Sequence, residues 1–90
     1  MKLIKKVKLT FTQGASDKVY EVDLCEQPGN EVNRYWVNFR YGRRGGTLRE
    51  GTKTPAPVDF TNAEAIFASV VVAKTNKGYV EAGSLSPSAV

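Results

Sequence analysis

A chain of 90 residues is long enough for one domain with one modest core and too short for two. Its apolar content of 41% and charged content of 24% are those of a folded soluble protein, and its net charge of +4 points to a polyanionic partner. With no His and a single Cys, Cys25, it has no disulfide framework, no zinc ligand set and no His to activate a nucleophile, and it suits a reducing compartment.

No close carboxylate pair set in an apolar pattern replaces these groups among the nine Asp and Glu, so an enzyme is not expected, nor any cofactor or metal. The longest uninterrupted apolar runs, such as Val70 to Ala73, are far too short for a membrane span. Met1 to Lys6 has the basic start of a signal peptide, but Lys5, Lys6 and Lys8 interrupt the apolar stretch that should follow, so a cytoplasmic protein is expected. The charge is uneven. Lys2, Lys5, Lys6 and Lys8 face no acid in the first ten residues, and Arg34, Arg40, Arg43, Arg44, Arg49 and Lys53 face only Glu50 between residues 34 and 53. Two basic segments suit a polyanion, although lysines on an edge strand also protect against aggregation.

In chain order, Val7 to Phe11 alternates apolar and polar residues, which predicts a strand with one buried face. Gln13 to Asp17 is turn material, and Tyr20, Val22 and Leu24 form the buried side of a second strand over Lys18 to Glu26. A Pro28-Gly29 turn leads to a third, Tyr35 to Tyr41, with Tyr35, Val37, Phe39 and Tyr41 on one face. Trp36 falls on the other face, either covering that side of the sheet under a helix or forming an exposed stacking platform. Gly42 to Gly46 must turn, and Thr47 to Thr54 is a weaker fourth strand, with a bulge expected at Glu50-Gly51. Pro55 and Pro57 end it. Thr61 and Glu64 have capping-box spacing, and Ala63, Ile66, Phe67, Val70 and Ala73 fall on one helical face. Lys74 and Lys77 suit the negative end of the helix dipole, and Gly78 is a natural stop. Tyr79 to Glu81 either adds a short strand or packs back. The expected architecture is α+β: an antiparallel sheet of about four strands with one C-terminal helix on one face, spanning residues 1–82, with 83–90 a flexible Ser/Pro-containing tail.

The most specialised stretch is Arg34 to Thr47, with the only Trp, two of four Tyr, three of eight Gly and four of five Arg. Aromatics and cations on a glycine-rich turn can stack on a base or sugar and hold phosphates. By alternation alone Tyr41 is either the end of a core strand or a stacking residue, and Arg43 either locks the turn or contacts a ligand. Arg44 and Arg49 have less structural work and are the better phosphate candidates.

Four blocks, Tyr20-Glu21-Val22-Asp23-Leu24, Arg34-Tyr35-Trp36-Val37, Tyr41-Gly42-Arg43 and Lys74-Thr75-Asn76-Lys77-Gly78-Tyr79, resemble the WGR domain of poly(ADP-ribose) polymerases and assorted bacterial proteins, in its order and spacing over about residues 18 to 80. Two departures stand out: Tyr41 replaces the signature Trp, and the turn after Arg43 is one residue longer. The resemblance implies a DNA-binding role. In the polymerases the signature Trp packs on the sugar at a strand end, and the signature Arg helps communicate binding to a catalytic region that these residues lack. Carried over, Tyr41 stacks and Arg43 contacts phosphate or a neighbouring domain. The expected function is a monomeric, non-catalytic module that binds nucleic acid, DNA rather than RNA and at ends or nicks. Its expected site is Tyr41, Gly42, Arg43, Arg44, Arg49 and Lys53. A protein-interaction domain that docks an acidic partner or a neighbouring domain is the alternative.

Overall fold

The computed structural model describes residues 1–85. Its elements are β1 (Lys2–Gln13), β2 (Ser16–Glu26), β3 (Tyr35–Arg43), β4 (Arg49–Thr52), α1 (Phe60–Asn76) and β5 (Val80–Leu85). The first four strands form the expected antiparallel meander. The helix then crosses one face, and β5 pairs with β1 at the far edge, giving the order β4-β3-β2-β1-β5. The sheet therefore has five strands, and the last runs through Gly83, Ser84 and Leu85, three residues expected in the tail. The rest of that tail, 86–90, lies outside the described residues. Because β5 covers β1 from Lys6 to Thr10, Lys6 and Lys8 do not guard an edge, while Lys2 and Lys5 precede the covered stretch.

Cross-strand register decides which residues share a face. Leu9, Tyr20, Tyr41 and Arg49 lie side by side, as do Val7, Val22, Phe39 and Gly51. The helix lays Ala63, Phe67 and Val70 on this face, closing a core with Leu9, Tyr20, Val22, Leu24 and Val37. Ala73, expected in the stripe, is exposed; the buried positions advance by four and three residues from Ala63 to Val70, and half-buried Lys74, four residues further, takes its place. Gly51 marks no bulge, since β3–β4 register is continuous there. A Cβ at Gly51 would stand 2.5 Å from the Phe39 ring, so the glycine makes room for it. Beyond β4, buried Thr54 accepts the Val37 N–H at 3.2 Å through its hydroxyl and fixes the chain's exit.

Both helix ends are capped, the first two residues earlier than the capping-box pattern predicts. Asp59 is the N-cap, its carboxylate accepting the Asn62 N–H at 2.8 Å. A carboxylate is a stronger acceptor than the Thr61 hydroxyl and adds charge at the positive end of the dipole. Glu64, freed from the cap, pairs with Lys5 of β1. At the other end Gly78, at φ 102, donates to the Thr75 carbonyl while Tyr79 donates to that of Lys74, the Schellman arrangement.

The helix-free face is charge-paired. Arg40 reaches Glu21 at 3.0 Å and Asp23 at 2.9 Å, and Lys6 reaches Glu21 at 3.2 Å. Burial pushes the Glu21 carboxyl up, but hydrogen bonds from Arg40 and Lys6 outweigh it and leave its pKa below the ordinary 4.5. Trp36 lies on this face, not under the helix: it is half-buried, and its Nε1 donates to Gln27 at 2.7 Å.

Gly78→Ala forces a side chain to φ 102 and brings its Cβ within 3.1 Å of the Phe11 ring. Chemical denaturation should show a loss of about 1–3 kcal/mol. Since Glu21 binds its proton less readily when folded, its stabilisation is present above pH 4.5 and fades as pH falls through the lower folded value. Glu21→Gln should therefore flatten the acid limb of a stability–pH curve, and an unchanged limb would contradict the assignment.

Candidate nucleic-acid interface

At the end of the sheet where β1 turns into β2, the long strands outrun the helix and rings take over the cover. The β1–β2 turn is tight, with Gly14 at φ 59 as its first central residue. Tyr20 stacks on Phe39 with ring centroids 5.7 Å apart and on Tyr41 at 6.1 Å, and Phe39 lies 6.0 Å from Tyr41. Tyr79, delivered by the helix C-cap, meets Tyr20 edge-on at 6.4 Å and Phe11 at 5.5 Å. Tyr20 is buried at the centre of this row, while Tyr41 at its margin is 40% exposed. One flank of Tyr41 thus joins the aromatic row, as the core-strand reading expects, and the remainder is open.

Tyr41, Gly42 and Arg43 line a groove of about 500 Å³ together with Asp17, Lys18, Lys74 and Tyr79. The Lys74 ammonium lies 4.5 Å from the centroid of Tyr20 and 5.8 Å from that of Tyr79, and Lys18 stands 5.8 Å from that of Phe11. Cations over ring faces keep part of their charge available while their stems extend the apolar floor. Burial lowers the pKa of Lys74, and repulsion from Lys77 and Lys53 lowers it further.

The expected site residues divide into three groups. Tyr41, Gly42 and Arg43 come together in the groove. A Cβ at Gly42 would meet the Leu48 side chain at 3.1 Å and the Thr47 carbonyl at 3.2 Å, so this glycine lets the returning loop pass close beneath the strand. Arg49 is exposed and sits directly across from Tyr41 on β4, on the same face. Lys53 lies away from this groove, 5.1 Å from the centroid of Phe39. Arg44 is turned elsewhere: its Nε donates to Asp17 at 2.8 Å, and its backbone N–H donates to the Asp17 carbonyl. This pair latches the β3–β4 turn to the β1–β2 turn, and the Arg44 hydrogen bond holds the exposed Asp17 carboxyl below its ordinary range. The turn itself closes with Gly46 donating to the Arg43 carbonyl and Gly45 at φ 79.

Lys18, Lys74 and Tyr79 were not among the expected site residues. Lys74 falls where the buried helical stripe reaches the sheet, so a cation in an apolar stripe was the available sign. Charge pairing is uneven. Among the described residues, Lys5, Lys6, Arg34, Arg40 and Arg44 each have a carboxylate partner, whereas Lys2, Lys8, Lys18, Arg43, Arg49, Lys53, Lys74 and Lys77 have none.

The family model for the WGR domain matches residues 5–85 of the chain. No curated protein and no solved structure matches it.

Proposed function

We propose a function that proceeds from one premise: this chain belongs to the WGR domain family. The WGR domain is a family of nucleic-acid-binding modules. The chain is a monomeric, non-catalytic binder of DNA at strand ends or nicks. The observation that supports this best is the groove that the exposed Tyr41 shares with Arg43, Lys18 and Lys74. An exposed ring supplies a stacking surface for a terminal base or sugar, and unpaired cations beside it supply phosphate contacts. Ends and nicks fit because only there is a sugar or base face free of its neighbour. Arg43 and Arg49 are the phosphate contacts on the Tyr41 side. Arg44 acts first as a latch through Asp17 and reaches a ligand only by giving up that ion pair. No helix among the described residues is long and apolar enough to cross a membrane, and we place the protein in the cytoplasm, where a free Cys25 suits the reducing environment.

Fluorescence anisotropy with blunt, nicked and covalently closed circular DNA at two salt concentrations tests this reading. Binding should be tighter for blunt and nicked DNA than for the circle and should weaken steeply with salt. Tyr41→Ala should cost about 1–3 kcal/mol, the worth of one aromatic stack. Arg43→Ala should reduce the salt slope by about one. An acidic peptide serves as the control for a protein partner: if it binds as well as DNA, the alternative function is favoured. No binding of any DNA at low salt would sink the reading.

A further inference from the structure

Lys53 and Lys77 have no place in the groove beside Tyr41. They converge with Lys74 on a second groove of about 340 Å³, between the segment that follows β4 and the C-terminal half of α1, also lined by Tyr20, Val70 and Ala73. The two grooves share Lys74, whose stem crosses Tyr20. We propose that this second groove receives phosphates of a single-stranded extension that runs on from the strand terminus held at Tyr41. The inference rests on the function proposed above and extends its ligand from a bare end to an overhang.

Charge supports it first. The three ammonium groups come from two separate elements, and none has a carboxylate partner among the described residues. Lys74 and Lys77 sit at the negative end of the helix dipole, which alone would justify them. Lys53 precedes the helix and gains nothing there, yet it is close enough for its charge to act on Lys74. Three like charges gathered without a counterion leave repulsion that a bound polyanion would relieve.

Shape decides which polyanion. The groove is walled by a helix on one side and a chain connection on the other, and its volume suits a nucleotide unit, not a duplex. Its remaining lining, Ile66, Ser69, Val70 and Ala73, has one hydroxyl and otherwise apolar surface, so no side chain pair there can read a base edge. The groove therefore tracks a backbone without regard to sequence, and its continuity with the first groove through Lys74 gives that backbone a path.

Hairpin DNAs with a blunt end, a short 3′ overhang or a short 5′ overhang provide the test, read by anisotropy across a salt series. One overhang or both should bind tighter than the blunt end. In the Lys53→Gln/Lys77→Gln double variant that advantage should vanish, with the salt slope for the overhang falling by roughly 1.4, about 0.7 for each single-strand phosphate. Binding to the blunt hairpin should be unchanged. Both substituted side chains are exposed, and thermal melts of the double variant should match the parent. If overhangs gain nothing over the blunt end, or keep their gain in the double variant, the inference is overturned while the end-binding function stands. If no hairpin binds, the function proposed above fails first.

Discussion

One helix has to cover a face of a five-stranded sheet, and its dimensions leave part of that face bare. The 17 residues of α1 span about 25 Å, whereas the 12 residues of β1 extend about 40 Å. A helix about 10 Å across also covers only about two strands at a spacing of roughly 4.8 Å. It is laid on β2 and β3, where Val22, Leu24 and Val37 are fully buried beneath it. The far end of the β1–β2 hairpin, together with the end of β3, is left without a second layer. There the sheet is covered by Phe11, Tyr20, Phe39, Tyr41 and Tyr79 and by the stems of Lys18 and Lys74. The site lies where the fold runs out of helix, and the aromatic residues there are at once the edge of the core and the floor of a groove.

Electrostatics follows the same division. On the helix-free face, Lys6, Glu21, Asp23 and Arg40 neutralise one another in a connected network that leaves little field outside. Under and beyond the helix end, six cations have no partner among the described residues, and burial lowers the pKa of Lys74, with repulsion from Lys77 and Lys53 lowering it further. Such a cluster destabilises the free protein slightly, since like charges near one another oppose compaction. Ring faces limit that cost at Lys18, Lys53 and Lys74, whose ammonium groups lie over Phe11, Phe39 and Tyr20.

Period-two alternation made the first three strands and their buried faces legible in the sequence, and the helical stripe made α1 legible. What could not be read depends on contacts between distant residues. Gly51 looked like a bulge because a strand glycine usually weakens pairing, but it answers to the Phe39 ring on the neighbouring strand. Lys6 and Lys8 of β1 looked like edge protection, but β5, from the other end of the chain, covers them. Asp59 took the cap from Thr61 because Val58 bridges to Tyr35 and sets where the helix begins. Within the site, Tyr41 and Arg43 were legible as neighbours on one strand face. Arg44, next in sequence, was not separable from them until its partner Asp17, 27 residues away, was known. Lys74 was hidden for a simpler reason: a cation in the last helical turn already has a sufficient local explanation in the dipole.

The replacement of the signature Trp by Tyr41 weighs on the proposed function through preorganisation as much as through area. A Tyr ring offers less stacking surface than an indole, which by itself lowers the worth of a stack. Against this, Tyr41 is packed on one flank against two neighbours. Tyr20 and Phe39 lie within 6.1 Å of it at interplanar angles of 22° and 26°, so the ring is already close to parallel with the row. A side chain fixed before its ligand arrives loses little rotamer freedom on binding, an ordering cost of about 0.5–1.5 kcal/mol for a free one. That saving is comparable with the difference expected from ring size. The smaller aromatic is therefore compatible with an end-binding surface provided the Tyr20–Phe39 pair behind it is intact, and the stacking strength of position 41 is a property of three rings and not of one.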